Sequence, residues 1–218
     1  THTGENMGIP PTGGQRMRTA ILISRIVDGK IVQSWNNGDD LGMMQQLGIL
    51  PAPEGTDFSW GQPNIPGTGI GDPEVGKELH RRLFEEIWNQ GDLDVVDEIY
   101  VPDFINKLGI PGGREGFKQY VTGIRAVAPD LHYTIDFQLA EGDISVTRWT
   151  LRGTHQGEFM GIPPTGAAGE MTGISMARIV DGRIAESWNS MDMLGMIQTL
   201  QAAAAQEEAN KVVRRRLY

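Results

Sequence analysis

The alternation of apolar and polar positions divides the chain into a helical part followed by a strand-rich part. Between residues 74 and 90 the apolar residues recur every three or four positions, which predicts an amphipathic helix ending at Asn89-Gln90-Gly91. A second, short helix is predicted over residues 93–100, and a third over residues 114–128, where Pro129 stops it. Three helices therefore precede the first long strand.

Period-two alternation predicts four strands after Pro129, over residues 131–140, 144–157, 171–180 and 184–189. Turns are expected at residues 141–143 and at Asp181-Gly182, since Asp-Gly between two apolar runs is a strong hairpin signal. A final helix is predicted from about residue 191 to 205. Helices followed by a run of antiparallel strands indicate an α+β fold, in which a curved antiparallel sheet holds its helices on the concave face and encloses a pocket.

A long internal repeat shows that part of this pattern occurs twice. Residues 1–47 align with residues 154–200 without a gap, and about 28 of the 47 aligned positions are identical. The shared strings are GIPPTG, RIVDG and SWN, each displaced by the same 153 positions. Repeats of this kind mark a duplicated structural unit. The first segment therefore represents the back half of a second copy, since the helices and first strands have no counterpart before it.

The region between the two copies is dense in Pro and Gly, and we interpret residues 49–73 as a linker. Its Gly67-Thr68-Gly69-Ile70-Gly71 run lacks the preceding strand and the Lys-Thr pair of a phosphate-binding loop. The predicted organisation is a half domain over 1–48, the linker over 49–73, a complete domain over 74–201 and a charged, frayed tail over 202–218.

Composition excludes several classes of partner. The net charge is -9 and the basic residues cluster only at Arg214, Arg215 and Arg216, so we expect no nucleic-acid partner. No apolar run approaches the roughly 20 residues of a membrane span, and we expect a soluble, cytoplasmic protein. The chain has no cysteine, and its four histidines show no ligand spacing, so we expect no metal site.

The string GTHQGEFMGIPPTG, followed by RIVDGRI and ESWNSMDMLGMIQTL, resembles the SnoaL-like polyketide cyclase family of the NTF2-like superfamily. The WNQGD, PDL and AEGD strings at residues 88–92, 129–131 and 140–143 support the resemblance, which covers nearly all of residues 74–201. Residues 1–48 resemble only the last two strands and the final helix of the same fold. The resemblance implies an NTF2-like cone with an apolar cavity, and a homodimer or an intrachain pseudo-dimer.

The resemblance also implies an activity. Family cyclases close a ring by intramolecular aldol condensation of a polyketide ester, without metal or organic cofactor, and an aspartate serves as general acid and base. That aspartate follows the Trp after the Asp-Gly hairpin by four residues, which here is Asp192 after Trp188, with Asp39 as its counterpart in the half copy. We therefore expect a small apolar carbonyl compound as substrate.

Burial would give Asp192 the required chemistry. A carboxylate in an apolar cavity has a raised pKa, so it can accept a carbon-bound proton and return it to the new alkoxide. We expect its carboxylate to be at least partly buried at the cavity end of the final helix. The alternative is that Asp192 only caps that helix, because Asp is favoured at the N-cap.

Further candidates carry less specific signals. His155 can orient the acid or polarise a carbonyl, or it is a strand histidine bonded to the backbone. Arg148 can pair with Asp192 or bind a carbonyl if its strand face lines the cavity; otherwise it is a surface residue. Asn106 stands near the position where many relatives carry a His, and an amide does not transfer protons at neutral pH. The substrate-binding candidates are Arg148, Asn106, Trp188, Met160, Met176 and Met196, the methionines being flexible apolar contacts or plain core.

Three functional hypotheses follow. The first is a cofactor-free cyclase or isomerase with Asp192 as acid and base. The second is a non-catalytic protein that binds a small apolar ligand or acts as a dimerising scaffold, since fold does not fix function. The third, an epoxide hydrolase, needs an Asp, Arg, Asp set, and the sequence shows only Arg148 and Asp192 of such a set.

Overall fold

The structure is a computed structural model that describes residues 1–5, 10–15, 17–52, 67–106 and 112–217, with the backbone alone for 215–217. The chain separates into two compact units. One contains Thr1–Asn64 with Ser190–Leu194, and the other contains Ile65–Asn189 with Gly195–Tyr218. The predicted domain boundaries differ from this division in detail, and they remain a prediction.

The smaller unit contains the first two strands and the first helix of the chain: β1 (Ala20–Val27), β2 (Lys30–Gly38) and α1 (Asp40–Gln46).

The first predicted helix of the larger unit is present, with one irregularity. Helix α2 then spans Pro73–Arg82 and continues without a break as a π-helical segment, Leu83–Gln90. Asp72 begins it by accepting a hydrogen bond from the Glu74 amide at 3.0 Å. Gly91, with φ +79°, ends it in the left-handed conformation that glycine adopts most readily.

The second predicted helix is shorter than expected, because a strand follows it at once. Helix α3 covers only Val95–Ile99, and β3 covers Tyr100–Asn106. The prediction of helix to residue 100 and of no strand before Pro129 is wrong here. Strand β3 pairs in parallel with the last strand of the sheet, and that long-range pairing outweighs the local helical pattern. Helix α4 spans Gly113–Val127, as predicted.

The sheet contains the four predicted strands and β3. Its other members are β4 (His132–Glu141), β5 (Ile144–Thr154), β6 (Ala168–Val180) and β7 (Arg183–Met191). The order across the sheet is β3-β7-β6-β5-β4, and β4, β5 and β6 are antiparallel neighbours. A bulge at Asp136 interrupts the register between β4 and β5, and bulges bend a strand. The α+β fold with a curved, largely antiparallel sheet is therefore confirmed.

One side of the sheet packs against α2 and its π-helical continuation. On β5 this helix-facing side carries Ser145 and Trp149. Ser145 Oγ lies 3.0 Å from Nδ1 of His80 in α2. The rings of Trp149 and Phe84 are tilted against each other, with centroids 6.2 Å apart. Tyr133 of β4 joins this aromatic group, 5.0 Å from Trp149. Burial of such large aromatic side chains contributes strongly to the stability of the unit.

The final helix, α5, extends much further than predicted. It covers Met193–Leu217, whereas the pattern predicted an end near residue 205 and a frayed tail after it. The continuation has local causes. Alanines at 202–205 favour helix, and Lys211 pairs with Glu207 at 3.0 Å and with Glu208 at 2.9 Å. Within the described residues no helix is long and apolar enough to span a membrane.

The N-terminal unit repeats the local geometry of the second copy. The Asp28-Gly29 turn between β1 and β2 has φ values of +51° and +71°, against +48° and +72° at Asp181-Gly182. The two preceding loops also agree: Thr12 lies 3.1 Å from His2 through its hydroxyl, as Thr165 does from His155. The two copies therefore share the geometry of this turn and of this His–Thr contact.

The hairpin of the N-terminal unit buries only one side. Ile23 is 8% exposed, whereas Ile26 is 63% exposed and Ile31 is 66% exposed. The strand register explains why these residues face different sides. The register shifts between Arg25 and Ile26: Ile23 pairs with Trp35 on one side of this shift, and Ile26 pairs with Ile31 on the other.

The predicted linker lies in part outside the described residues, which resume at Gly67. Its described end is held against the turn between β4 and β5, where the Thr68 amide donates to Asp143 Oδ2 at 3.1 Å. Asp143 is 5% exposed. Burial alone would raise the pKa of its carboxyl, but the hydrogen bonds from backbone amides, Thr68 first, outweigh burial and hold that pKa below its usual range.

Candidate functional site

Asp192 lies at the junction of β7 and α5, as the single residue between Met191 and Met193. Asp192 is exposed to solvent, so the expectation of a partly buried carboxylate is wrong. Asp39, its counterpart in the half copy, is half-buried, and its carboxylate accepts a hydrogen bond from the Gly42 amide at 2.8 Å and caps α1. A residue at this position serves the open end of a helix, where solvent is near.

A chain of hydrogen bonds links three strands and ends at Asn189, three residues before Asp192 in sequence. The indole Nε1 of Trp149 donates to Ser175 Oγ at 2.9 Å, and Ser175 Oγ donates to Asn189 Oδ1 at 2.5 Å. The strand register explains the contact between Trp149 and Ser175. Thr147 of β5 pairs with Ser175 of β6, and Trp149 lies two residues further along β5, so its side chain reaches Ser175 diagonally. Asn189 follows on β7.

The direction of this chain fixes the orientation of the Asn189 side chain. An indole N–H can only donate, so the Ser175 hydroxyl must accept from it and pass its own proton to the next acceptor. Asn189 therefore presents its carbonyl oxygen to Ser175 and its NH2 group away from it. An amide NH2 held in this way is a donor that can stabilise negative charge on a substrate oxygen.

Other polar side chains also lie deep on the helix-facing side. Thr147 is fully buried and accepts from Gln138 Nε2 at 3.2 Å, and the same Gln138 nitrogen donates to the Lys77 carbonyl at 2.8 Å. His80 is 1% exposed and contacts Ser145. Burial lowers the pKa of His80 to about 4, so the ring is neutral at neutral pH.

His155 lies just after β5, which ends at Thr154 and not at the predicted residue 157, and it is 4% exposed. Its Nδ1 accepts from the Thr165 amide at 3.3 Å and lies 3.1 Å from the Thr165 hydroxyl. Because Nδ1 accepts, the proton of the neutral ring sits on Nε2, which is buried and has no hydrogen-bond partner among the described protein atoms. Thr165 thus positions His155 in the loop, which agrees with the structural alternative raised above.

Arg148 lies on the face of β5 opposite to Trp149, away from the helix-facing side. Its ion-pair partner is Asp136, the bulged residue of β4, and the Thr150 hydroxyl donates to the same carboxylate at 3.1 Å. The side chains of Arg148 and Asp136 are 20% and 23% exposed. The suggested pairing of Arg148 with Asp192 is thus replaced by a pair with Asp136.

The remaining candidates are dispersed. Asn106 ends β3 and is half-buried, next to β7 through its pairing with Ser187. Met160 is 53% exposed, in a loop at φ +50°. Partial exposure is common to Trp188, Met176 and Met196. Nothing in these positions assigns a substrate contact to any of them.

Sequence reasoning missed Ser175, Asn189 and Asp136. A signal existed for Asn189, since it belongs to the SWN string that both copies share. Ser175 stands between apolar residues in a predicted strand, which marks a buried polar group, but its partner depends on strand register. Among the described residues no group of three or more His, Asp or Glu side chains is arranged to hold a metal ion.

Comparisons with known proteins agree with this fold. The model of the SnoaL-like polyketide cyclase family matches residues 1–47 and 78–200. Nogalonic acid methyl ester cyclase of Streptomyces nogalater is 30% identical over 118 residues, which are 52% of this chain and 88% of that protein.

Solved structures give the same result. TsrD from Streptomyces laurentii superposes with a TM-score of 0.56 at 28% identity, over 59% of this chain and 96% of that one. IdmH from Streptomyces antibioticus, described as a putative polyketide cyclase, superposes with a TM-score of 0.52 at 35% identity, over 58% of this chain and 98% of that one. The chain belongs to the SnoaL-like polyketide cyclase family.

Proposed function

We propose that the chain is a cofactor-free cyclase or isomerase of an apolar carbonyl compound, of the polyketide-ester type, that works by intramolecular aldol reaction. Relatives named as polyketide cyclases support a cyclase function in general. The observation that carries the proposal is the orientation of Asn189 by Trp149 and Ser175, because it fixes an amide NH2 donor on the side away from Ser175, at a position three residues before Asp192 in sequence.

The reaction needs one base, one acid and one donor. The Asp192 carboxylate removes a proton from a carbon flanked by carbonyl groups, and the resulting enolate carbon attacks a ketone carbon of the same molecule. A carbon–carbon bond forms, the ketone oxygen becomes an alkoxide, and Asp192 returns the proton to it. The product is an isomer of the substrate, so no oxidant, reductant or co-substrate is required. The Asn189 NH2 group stabilises the developing oxyanion.

In this proposal Met160 and Met196 remain candidate contacts for the body of the substrate, and Asn106 a candidate hydrogen-bonding group. Trp188 and Met176 alternate with Asn189 and Ser175 along their strands, so they face the opposite side of the sheet and are left out. His155 acts by orientation, since its Nδ1 is engaged by Thr165. Arg148 is left out, because Asp136 already engages its guanidinium.

The test is a ring-closure assay with nogalonic acid methyl ester, the compound that names one relative. The purified chain is incubated with this ester without added metal or cofactor, and loss of substrate and appearance of an isomer of equal mass are followed by chromatography and absorbance. The proposal predicts saturable turnover to an isomer of equal mass. Absence of turnover with this and related methyl esters would contradict it.

The exposure of Asp192 favours a second candidate, a non-catalytic protein that binds a small apolar ligand. A catalytic carboxylate acts where the reacting atoms are shielded from water, and an exposed position offers little shielding. The same ester separates the two functions: saturable binding in calorimetry without isomer formation would establish the binding protein and exclude the cyclase.

A further inference from the structure

The hairpin of the N-terminal unit exposes the side that the second copy covers. An offset of 153 positions relates Leu22 to Ser175 and Ile31 to Ile184. Leu22 is 62% exposed and Ile31 is 66% exposed, whereas Ser175 is 3% exposed and Ile184 is fully buried. The two copies agree in the φ values of their Asp-Gly turns and in their His–Thr contacts, so the difference lies in what covers the hairpin.

The uncovered side is the counterpart of the helix-facing side of the sheet. Ser34 and Asn36 are exposed on it, and their counterparts are Ser187, at 7% exposure, and Asn189, which accepts from Ser175. The opposite side of the hairpin is buried at Ile23 and Asn37, with 8% and 9% exposure. The hairpin is therefore buried on the side opposite to this counterpart and exposed on the side that corresponds to the helix-facing side of the sheet.

The second copy identifies what covers this side. In the second copy β5 pairs with β6 along its whole length, from the Ile144–Arg178 pair to the Thr154–Ala168 pair. The indole of Trp149 then lies over Gly173, where an added Cβ would come within 2.1 Å of the ring. Helix α2 adds a second layer, with Gly76 close against Ser145. Among the described residues β1 and β2 pair only with each other, so a partner of the β5 type is missing beside β1.

We propose that the exposed side of β1 and β2 is a docking surface for a further front half of a SnoaL-like domain. The occupant is a segment equivalent to residues 73–154, in which helices and the short strand β3 are followed by two antiparallel strands, and the last of these strands pairs with β1. The resident segment is already engaged with β6, as the near-complete burial of Trp149 and Ser175 shows, so the occupant is an additional one. This inference is independent of the proposed catalysis.

The docked unit differs from the complete domain in two respects. Ala20 stands at the position of Gly173, where a Cβ would lie 2.1 Å from the indole of Trp149, so an aromatic residue of the occupant must pack further from β1. Ser175, which orients Asn189, corresponds to Leu22, which has no hydroxyl. Asn36 would therefore lack the serine that fixes its amide, even beneath a complete front half. Docking completes the fold of this unit without rebuilding the hydrogen-bond chain.

The test uses the whole 218-residue chain and a fragment covering residues 73–154 as the probe. Three forms are compared: the wild-type chain, Leu22→Lys/Ile31→Lys, and Val212→Lys/Val213→Lys. The third is the matched control, since Val212 and Val213 are also exposed apolar residues, at 45% and 56%. The proposal predicts a one-to-one complex that is weakened at least tenfold by the β1–β2 substitutions and unaffected by the α5 substitutions.

Other outcomes overturn the proposal. Equal binding to all three forms would show that the fragment exchanges with the resident strands. Self-association of the wild-type chain that Leu22→Lys/Ile31→Lys abolishes would assign the surface to a second copy. Because the isolated fragment can aggregate, a chain carrying an extra 73–154 segment before Thr1 provides a second measurement. Amide exchange across Ala20–Arg25 must slow at least tenfold in it, and unchanged exchange would overturn the proposal.

Discussion

Ser175 Oγ lies 2.9 Å from the indole Nε1 of Trp149 and accepts its proton, on the helix-facing side of the sheet. Both side chains are almost completely buried, at 3% and 2% exposure. A buried donor and acceptor that satisfy each other cost little, whereas either alone carries the full cost of its desolvation. The pair therefore does two things: it stabilises the core and it orients Asn189.

Ser175→Ala should lower the free energy of unfolding by about 1–3 kcal/mol, because the indole N–H loses its acceptor and the Asn189 oxygen loses its donor. Urea unfolding at neutral pH measures the change. Ser24→Ala is the control: its hydroxyl lies 3.1 Å from that of Ser34 in an exposed pair of strands, and a change within about 0.5 kcal/mol is expected. Equal losses in both variants would show that the buried chain contributes nothing specific.

Gly173→Ala should disturb the same site by crowding. A Cβ at this position would lie 2.1 Å from Trp149 Cζ2, so the indole must move and its bond to Ser175 must lengthen or break. We expect destabilisation of about 1–3 kcal/mol and a changed tryptophan fluorescence. Gly169→Ala in the same strand has no heavy atom within 4 Å of its Cβ and should leave both unchanged. An unaltered spectrum in Gly173→Ala would contradict the close approach of the indole to β6.

His80 should make stability depend on pH. Its folded pKa of about 4 lies below the unfolded value near 6.5, so between these values the unfolded chain binds more protons. This contribution is fully present above pH 6.5, and it is lost as the pH falls toward 4. At pH 5 the loss attributable to His80 is about 2 kcal/mol.

His80→Asn removes the titrating group, so unfolding measured at pH 7 and pH 5 should differ by about 2 kcal/mol less than in the wild-type chain. His132→Asn, at an exposed position of β4, is the control and should keep the wild-type difference. Identical pH dependence in the wild-type chain and His80→Asn would mean that the buried ring does not stay neutral.

Periodicity predicted most of the fold, because amphipathic helices and half-buried strands leave a direct trace in sequence. Strand β3 escaped prediction, since its formation depends on parallel pairing with β7, far along the chain. The long α5 escaped because charged residues at its end suggested a tail, while their ion pairs support helix.

The candidate site was less predictable for the same kind of reason. Asp192 and His155 stood out as titratable residues in repeated strings, but burial is a property of the packed unit, and Asp192 proved exposed. The chain from Trp149 through Ser175 to Asn189 requires the register of β5 on β6, which no single-strand pattern contains. Asp136 engages Arg148 only because a bulge shifts the register between β4 and β5.

The cyclase proposal is tested most directly by the turnover of nogalonic acid methyl ester in the wild-type chain, Asp192→Asn and Asp39→Asn. Asn remains a good N-cap residue, so both substitutions preserve the helix starts while removing a carboxylate. Loss of a general acid and base should lower turnover by roughly 100-fold or more in Asp192→Asn, with unfolding free energy unchanged. Asp39→Asn should retain wild-type turnover. Wild-type turnover in Asp192→Asn would remove this carboxylate from the mechanism and contradict the account.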